Sequence, residues 1–381
     1  MKNSIYLDNA ATTALSPGAL QAMTECLRDC FGNPSSVHGT GREAARMLDR
    51  ARRSVAQNLG CEPREVIFTS GGSESDNLAL KGAAFAHAAR GKHLITSAVE
   101  HHAVLHACRW LEKQGFQITY LPVDGRGRVD PADAEKAIRE DTVLISVMTA
   151  NNEIGTLQPV EEIGRIAREH GVLFHTDAVQ AVGHMKLDLK SMGADLLSLS
   201  AHKFHGPKGT GVLYIRNGVK LDSLVHGGSQ ERGLRAGTED VAGIVGLAEA
   251  LKEACRDIPK RTERVSRLRE MLVRGVLERV PGARVNGDPE HHLPGIAHFT
   301  FSGISGEALL LRLDLAGIAC SGGSACTSGS REPSHVLEAI GLKPEEAQSG
   351  IRFSLGDGNT EEEIRETLEI LPEIVKDLQN F

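Results

Sequence analysis

The chain lacks any apolar run long enough to cross a membrane. A spanning helix needs about 20 consecutive apolar residues, and nothing in these 381 residues approaches that. Residues 1–8 contain no apolar core of a secretion signal, which predicts a cytoplasmic protein. No basic cluster stands out and the net charge is −7. A broad phosphate footprint for nucleic acid is therefore excluded. There is no CxxC pair, and seven cysteines are an odd number scattered through a long chain. That argues against a disulfide framework and for free thiols in a reducing compartment. Cys26 and Cys30, one helical turn apart, read as buried small residues rather than metal ligands. The HExxH, Walker A and GxGxxG patterns are missing, as are internal repeats and low-complexity segments.

What is present is an alternating series of strand-like and helix-like stretches. Ser16-Pro17 is a helix start, an N-cap followed by proline. Ala44, Leu48, Ala51, Val55 and Leu59 form one apolar stripe of a second helix over 41–59. Strands are predicted at 65–70, 93–98, 117–122, 142–148, 172–178, 194–200 and 210–215. Helical stretches at 74–89, 103–113, 131–139 and 160–170 separate most of them. The pattern reads as an α/β domain around a mostly parallel, seven-stranded sheet. The last two strands have no room between them for a crossover helix. They form either an antiparallel pair or separate parts of the sheet. A long helical region over 239–280 is predicted to break at Pro259. Beyond it, shorter elements read as a smaller α+β domain.

The candidate chemistry lies at strand ends. Lys203 follows the apolar run Leu196-Leu197-Ser198-Leu199 and is flanked by His202 and His205. A partly desolvated amine there suits a Schiff base. Phe68-Thr69-Ser70-Gly71-Gly72-Ser73 runs from strand into helix. It is either an anion cradle or a capped helix after a tight turn. Val172-Leu173-Phe174-His175-Thr176-Asp177 ends an apolar strand in an acid that needs a cationic partner. Glu100-His101-His102 follows another strand; without HExxH or a cysteine cluster it reads as stacking or proton transfer rather than metal binding. Asn151-Asn152 offers amides to a carboxylate or merely makes a turn. Arg352 stands alone in an apolar strand and calls for a carboxylate. Residues 320–330 are dense in small residues and have little apolar surface to pack. Their Cys326 is placed to meet a substrate and then a second partner.

Together with Tyr6-Leu7-Asp8-Asn9-Ala10-Ala11-Thr12-Thr13, Gly32-Asn33-Pro34-Ser35-Ser36-Val37-His38 and Ser324-Ala325-Cys326-Thr327-Ser328, these segments resemble the NifS/IscS-type (group I) cysteine desulfurases. That family consists of class V aminotransferase-like, fold-type I enzymes dependent on pyridoxal 5'-phosphate (PLP). The resemblance extends over nearly the whole chain. It implies a large PLP-binding domain over 13–257. It implies a small domain made of 1–12 and 258–381, carrying the catalytic cysteine loop at about 320–333. Lys203 matches the Schiff-base lysine, while Gly72, Ser73, Ser200 and His202 match phosphate ligands. Asp177 matches the partner of the pyridine nitrogen, Gln180 the donor to the phenolic oxygen, and His101 the stacked acid/base. Asn152 and Arg352 match the clamp on the substrate carboxylate, and Cys326 the sulfur-accepting nucleophile. Thr238 matches a threonine that reaches the PLP phosphate of a neighbouring subunit, which implies a homodimer.

The implied activity is cysteine desulfurase (EC 2.8.1.7), a sulfurtransferase. L-cysteine is converted to L-alanine, and the sulfur remains as a persulfide on Cys326. It then passes to an acceptor protein, such as an iron–sulfur scaffold, for cluster or other thio-cofactor assembly. No resident metal is implied, although Cys326 could transiently contact a cluster; no membrane or direct nucleic-acid partner is implied either. A transaminase, β-lyase or selenocysteine lyase would share Lys203, Asp177 and the phosphate ligands without needing Cys326. Three features depart from the usual pattern. Ala236 replaces a common serine, Cys320 is an extra thiol, and the chain stops soon after its last helix, without the longer tail of some relatives.

Overall fold

The structure, a computed structural model, describes residues 5–322 and 333–380. A short strand β1 (Ile5–Tyr6) precedes helices α1 (Pro17–Asp29) and α2 (Gly39–Leu59). The Ser16 hydroxyl accepts from the Ala19 N–H and Pro17 fills the first helical turn, as the sequence predicts. All five residues of the α2 stripe are buried, and Gly60 ends that helix at φ 73°. Cys26 and Cys30 are buried too.

Seven strands then form the central sheet. They are β2 (Val66–Thr69), β3 (His93–Ser97), β4 (Gln117–Leu121), β5 (Thr142–Ser146), β6 (Leu173–Asp177), β7 (Leu196–Ser200) and β8 (Gly211–Ile215). Their spatial order is β2-β8-β7-β6-β5-β3-β4. Strands β4, β3, β5, β6 and β7 run parallel, whereas β8 is antiparallel to both β7 and β2. The open question about the last two strands is thereby settled. A connection as short as the lysine turn closes an antiparallel pair, not a crossover.

Between the strands lie α3 (Gly72–Ala86), α4 (His102–Lys113), α5 (Pro131–Ala137) and α6 (Val160–Glu169). Successive strand residues feed opposite faces of the sheet. Ile95, Ile145, Phe174 and Leu197 enter one apolar cluster, while Leu94, Leu144, Leu196 and Leu213 enter another. Both faces are covered, which is why these strands read as nearly continuous apolar runs.

Helices α7 (Val241–Cys255) and α8 (Ile258–Arg279) follow. The break falls at Arg256-Asp257, before Pro259, with Asp257 at φ 53°. Pro259 sits in the first turn of α8, where its missing N–H leaves no helical bond unmade. The remaining elements are β9 (Ala283–Asn286), β10 (Ile296–Phe301), α9 (Gly306–Leu315), β11 (Ile318–Ala319), α10 (His335–Ala339), α11 (Pro344–Ala347), β12 (Ile351–Ser354) and α12 (Glu361–Gln379). Strands β12-β10-β9 make an antiparallel sheet, and β1 pairs in parallel with β11. Ile5 and Leu7 share an apolar cluster with Leu272, Phe299, Phe353 and Leu371. The α/β class, with its seven-stranded sheet and small antiparallel sheet, is as expected.

One buried ion pair ties the turn at 230–233 to the edge of the large sheet. Glu231, at φ 45°, accepts from both terminal nitrogens of Arg52 at 2.9 and 2.5 Å and from the Phe68 N–H at 2.8 Å. Arg52 also donates to the Val66 carbonyl at 2.7 Å. Their side chains are 12% and 2% exposed, so removing one partner strands the other charge away from water. We expect Glu231→Ala to destabilise the chain by about 3 kcal/mol. Chemical denaturation checks this, and an unchanged midpoint would refute the structural importance of the pair.

Candidate active site

The carboxyl ends of the parallel strands converge on a cavity of about 200 Å³, where open α/β sheets place their ligands. It collects Gly72 and Ser73 after β2, His101 after β3, Asn152 after β5, Asp177 and Gln180 at the end of β6, and Ser200, His202 and Lys203 after β7. Arg352 enters from β12, across the chain's second sheet.

Lys203 closes a single 3-10 turn, Ala201–Lys203, between β7 and β8. Its Nζ donates to the carbonyls of Ala10 at 2.6 Å and Ala11 at 2.9 Å. Gln180 Nε2 donates to the same Ala10 carbonyl at 2.9 Å, so the N-terminal segment forms part of the wall. Opposite, α3 begins behind Gly71, whose φ of 147° disfavours any residue with a side chain. A Cβ on Gly72 would come within 2.7 Å of Val179. The glycines thus let a helix N-terminus lie flush against Val179 and Ser200 at the cavity wall, an arrangement that favours an anion.

Charge in this cavity is set by burial. Asp177 is 5% exposed. Burial pushes its carboxyl up to about 6, against the pull of the Val179 N–H, at 2.9 Å, and the Lys203 charge. His101 caps α4, its Nδ1 accepting from the Ala103 N–H at 3.1 Å. Burial, then the Lys203 charge, lowers it to about 4. The ring is neutral near pH 7, and with Nδ1 accepting, its proton resides on Nε2. His202 is lowered to about 4 by the same two causes, and its Nδ1 lies 3.1 Å from the Thr12 hydroxyl. Arg352 is 2% exposed. It donates to the Asn152 carbonyl at 2.7 Å and pairs with Asp8 at 2.9 Å.

Ten of the eleven described residues nominated from sequence line this one cavity. Thr238 does not; it is exposed on the surface. Cys326, the twelfth, lies outside the described residues. The neighbouring Cys320 is pushed to about 12 by burial and then by the Asp8 carboxylate, so its thiol stays protonated. Asn151 makes the turn: its Nδ2 donates to the Val99 carbonyl and its Oδ1 accepts two backbone N–H groups. Asn152 is left to face the cavity.

Sequence reasoning missed Asp76, Glu153 and His335, which line the cavity together with His102. Asp76 stands three residues after Ser73, and helical spacing puts the two on one face. That signal was available. His335 carried none, being more than two hundred residues from His102, whose ring it approaches to 4.8 Å.

An amine, a buried carboxylate and a helix N-terminus gathered at the carboxyl ends of the strands have the chemistry of an α/β enzyme site. A family model described as aminotransferase class-V matches residues 5–366, and the chain belongs to that family. It is 52% identical to a cysteine desulfurase IscS of Dictyoglomus turgidum, over 100% of this chain and 97% of that one. Among solved structures it is similar to a NifS-like protein, with a TM-score of 0.93 and 42% identity, covering 98% and 100% of the two chains. It is also similar to SspA in complex with cysteine, with a TM-score of 0.83 and 38% identity, covering 94% and 100%. The resemblance read from sequence is thus borne out.

Behind the cavity, Glu100 is fully buried. It accepts from the Ser97 hydroxyl at 2.6 Å and the Met148 N–H at 2.9 Å, yet burial still raises its carboxyl to about 8. A raised acid favours the folded state while it stays protonated. Its contribution is complete below the unfolded value, about 4.3, and is lost as pH rises through about 8. We expect the stability advantage that Glu100 gives the cofactor-free wild type over Glu100→Gln to shrink as pH rises from about 5 to about 8. Unfolding curves across this range test it; identical slopes in the two proteins would contradict it.

Proposed function

We propose that the chain is a cysteine desulfurase (EC 2.8.1.7) that uses PLP to move sulfur from L-cysteine to Cys326. The observation that carries this reading is the convergence of ten nominated residues on one cavity. A cavity with a helix N-terminus at one end, an amine at the other and a buried carboxylate beside them fits a flat ring bearing a phosphate and a protonated nitrogen. The full-length likeness to a named cysteine desulfurase, and to a structure holding cysteine, supports the substrate.

PLP, when bound, supplies an electron sink that acidifies the α-proton of an amino acid and weakens its bond to sulfur. The backbone at Gly72 and Ser73, with Ser200 and His202, holds the phosphate. Asp177 balances the ring nitrogen, and Gln180 donates to the phenolic oxygen. Lys203 anchors the cofactor through Nζ and, once released, takes the α-proton there. Arg352 and Asn152 hold the substrate carboxylate. His101 offers the Nε2 proton to the reacting groups. The Cys326 thiolate attacks the substrate sulfur; the S–S bond forms as the C–S bond breaks, and the electron pair of the broken bond returns to the carbon skeleton. Protonated there, it leaves as L-alanine. The persulfide passes to an acceptor protein, such as an iron–sulfur scaffold.

The same reading covers organisation. A large unit over 13–257 carries the cofactor, and 1–12 with 258–381 form the small one. Thr238, exposed and outside the cavity, suits a site completed by a second copy of the chain. Among the described residues no helix is long and apolar enough to cross a membrane, which accords with a cytoplasmic enzyme.

Two variants separate the roles. Lys203→Ala is expected to lose the visible absorption band of the bound cofactor. Cys326→Ser is expected to keep that band, and its change on adding cysteine, while forming no protein persulfide. Wild-type rates of alanine and persulfide formation by the serine variant would remove Cys326 from the mechanism. A purified wild-type chain that takes up no PLP would sink the whole reading.

A further inference from the structure

Asp76 lies in the first turns of α3 and lines the same cavity. Its side chain is 1% exposed, and its Oδ1 has no hydrogen-bond partner among the described residues. Asp76, His101 and Asp177 each present a polar atom within 4.8 Å of the others. Two buried carboxylates that close together cannot both keep a negative charge without a large cost.

The surroundings decide which one holds the proton. Asp177 accepts the Val179 N–H at 2.9 Å and feels the Lys203 charge, both of which favour its anion. Among the described residues no cation contributes to the shift of Asp76. Burial first, then the charge of Asp177, lifts it well above the carboxylate range, with a smaller push from Glu100; only the Ser198 hydroxyl opposes. His175 Nε2 lies 3.7 Å from Asp76 Oδ1 but cannot supply a positive charge. Its ring nitrogens face the hydroxyls of Ser146 at 2.8 Å and Ser198 at 3.0 Å, and burial lowers it to about 3. His101 is neutral for the reasons already given.

We propose that Asp76 is a positioning residue that carries the single proton of the Asp76–Asp177 pair, leaving Asp177 as the charged member of that pair at the cavity. Asp76 acts through its neighbour. A neutral acid contributes a hydrogen-bond donor beneath the cavity without adding a second negative charge. Asp177 then matches one cation and no more. The inference rests on the proposed function only in identifying that cation as the PLP ring nitrogen.

Infrared difference spectra of the cofactor-free protein at about pH 7, wild type minus Asp76→Asn, test the proton directly. A protonated carboxyl C=O band should appear in the wild type and vanish in the variant. Loss of carboxylate bands alone would overturn the proposal. The buried acids Glu100 and Glu153 are present in both proteins and cancel. Fluorescence titration with PLP adds a second readout. Asp76→Asn should weaken PLP binding at least about tenfold less than Asp177→Asn, because only the latter removes a charge. Equal losses would overturn the proposal. Should Asp76→Asn fail to fold, Glu100→Gln/Glu153→Gln takes its place. That protein must retain a protonated carboxyl band that bleaches as pH rises, and its absence is a refutation. A wild-type chain that binds no PLP defeats the functional reading but leaves the infrared result standing.

Discussion

A charge taken out of water must meet its counterpart inside the protein, and that constraint arranges this molecule's working edge. Asp177, Lys203 and Arg352 all sit at the cavity, and each comes from a different part of the chain. The parallel strands end together, so the first two reach it from β6 and from the turn after β7. The antiparallel β8 matters here. By pairing with β7 through the short connection 201–210, which opens with three helical residues, it turns the chain back and keeps Lys203 at the strand ends. A crossover helix at that point would carry the lysine away. The N-terminal carbonyls of Ala10 and Ala11 then receive the amine, at 2.6 and 2.9 Å. A donor with three protons is thereby ordered by two carbonyl acceptors, with its charge acting on Asp177.

Much of this was legible in the sequence because it depends on neighbours along the chain. The α2 stripe is a period of three and four and proves buried throughout. The strands are short apolar runs with helices on both faces, so their number and mostly parallel sense followed from alternation. Lys203, Asp177 and Ser73 stood out as polar residues at the ends of such runs. What escaped depends on pairs distant in sequence. Asp8 gave no sign that it would meet Arg352, 344 residues on. Glu100 received no role of its own, and only the fold reveals it buried and accepting from the Met148 N–H. The α7–α8 break moved because Asp257 adopts a left-handed conformation. Proline, read as the breaker, is tolerated in a first helical turn.

The Arg352–Asp8 pair joins β12 to the N-terminal segment beside the cavity. Arg352 lies on β12, an edge strand of the three-stranded sheet, and the central strand β10 places His298 opposite it. Burial, helped by the arginine's charge, lowers His298 to about 3, so it contributes no charge of its own. A guanidinium 2% exposed beside a neutral histidine needs an anion, and Asp8 provides one at 2.9 Å from a side chain that is 20% exposed. The Arg352 group facing the Asn152 carbonyl lies on the cavity side. Asp8 therefore satisfies the charge while leaving the geometry of the clamp intact. A carboxylate ligand arriving there adds to, or exchanges with, a partner of its own kind. Such an exchange keeps the buried charge balanced, whereas an amide or alcohol in the same place would leave the guanidinium less well matched. On the proposed function, selection for a carboxylate-bearing substrate begins in the pairing that holds Arg352 before any substrate arrives.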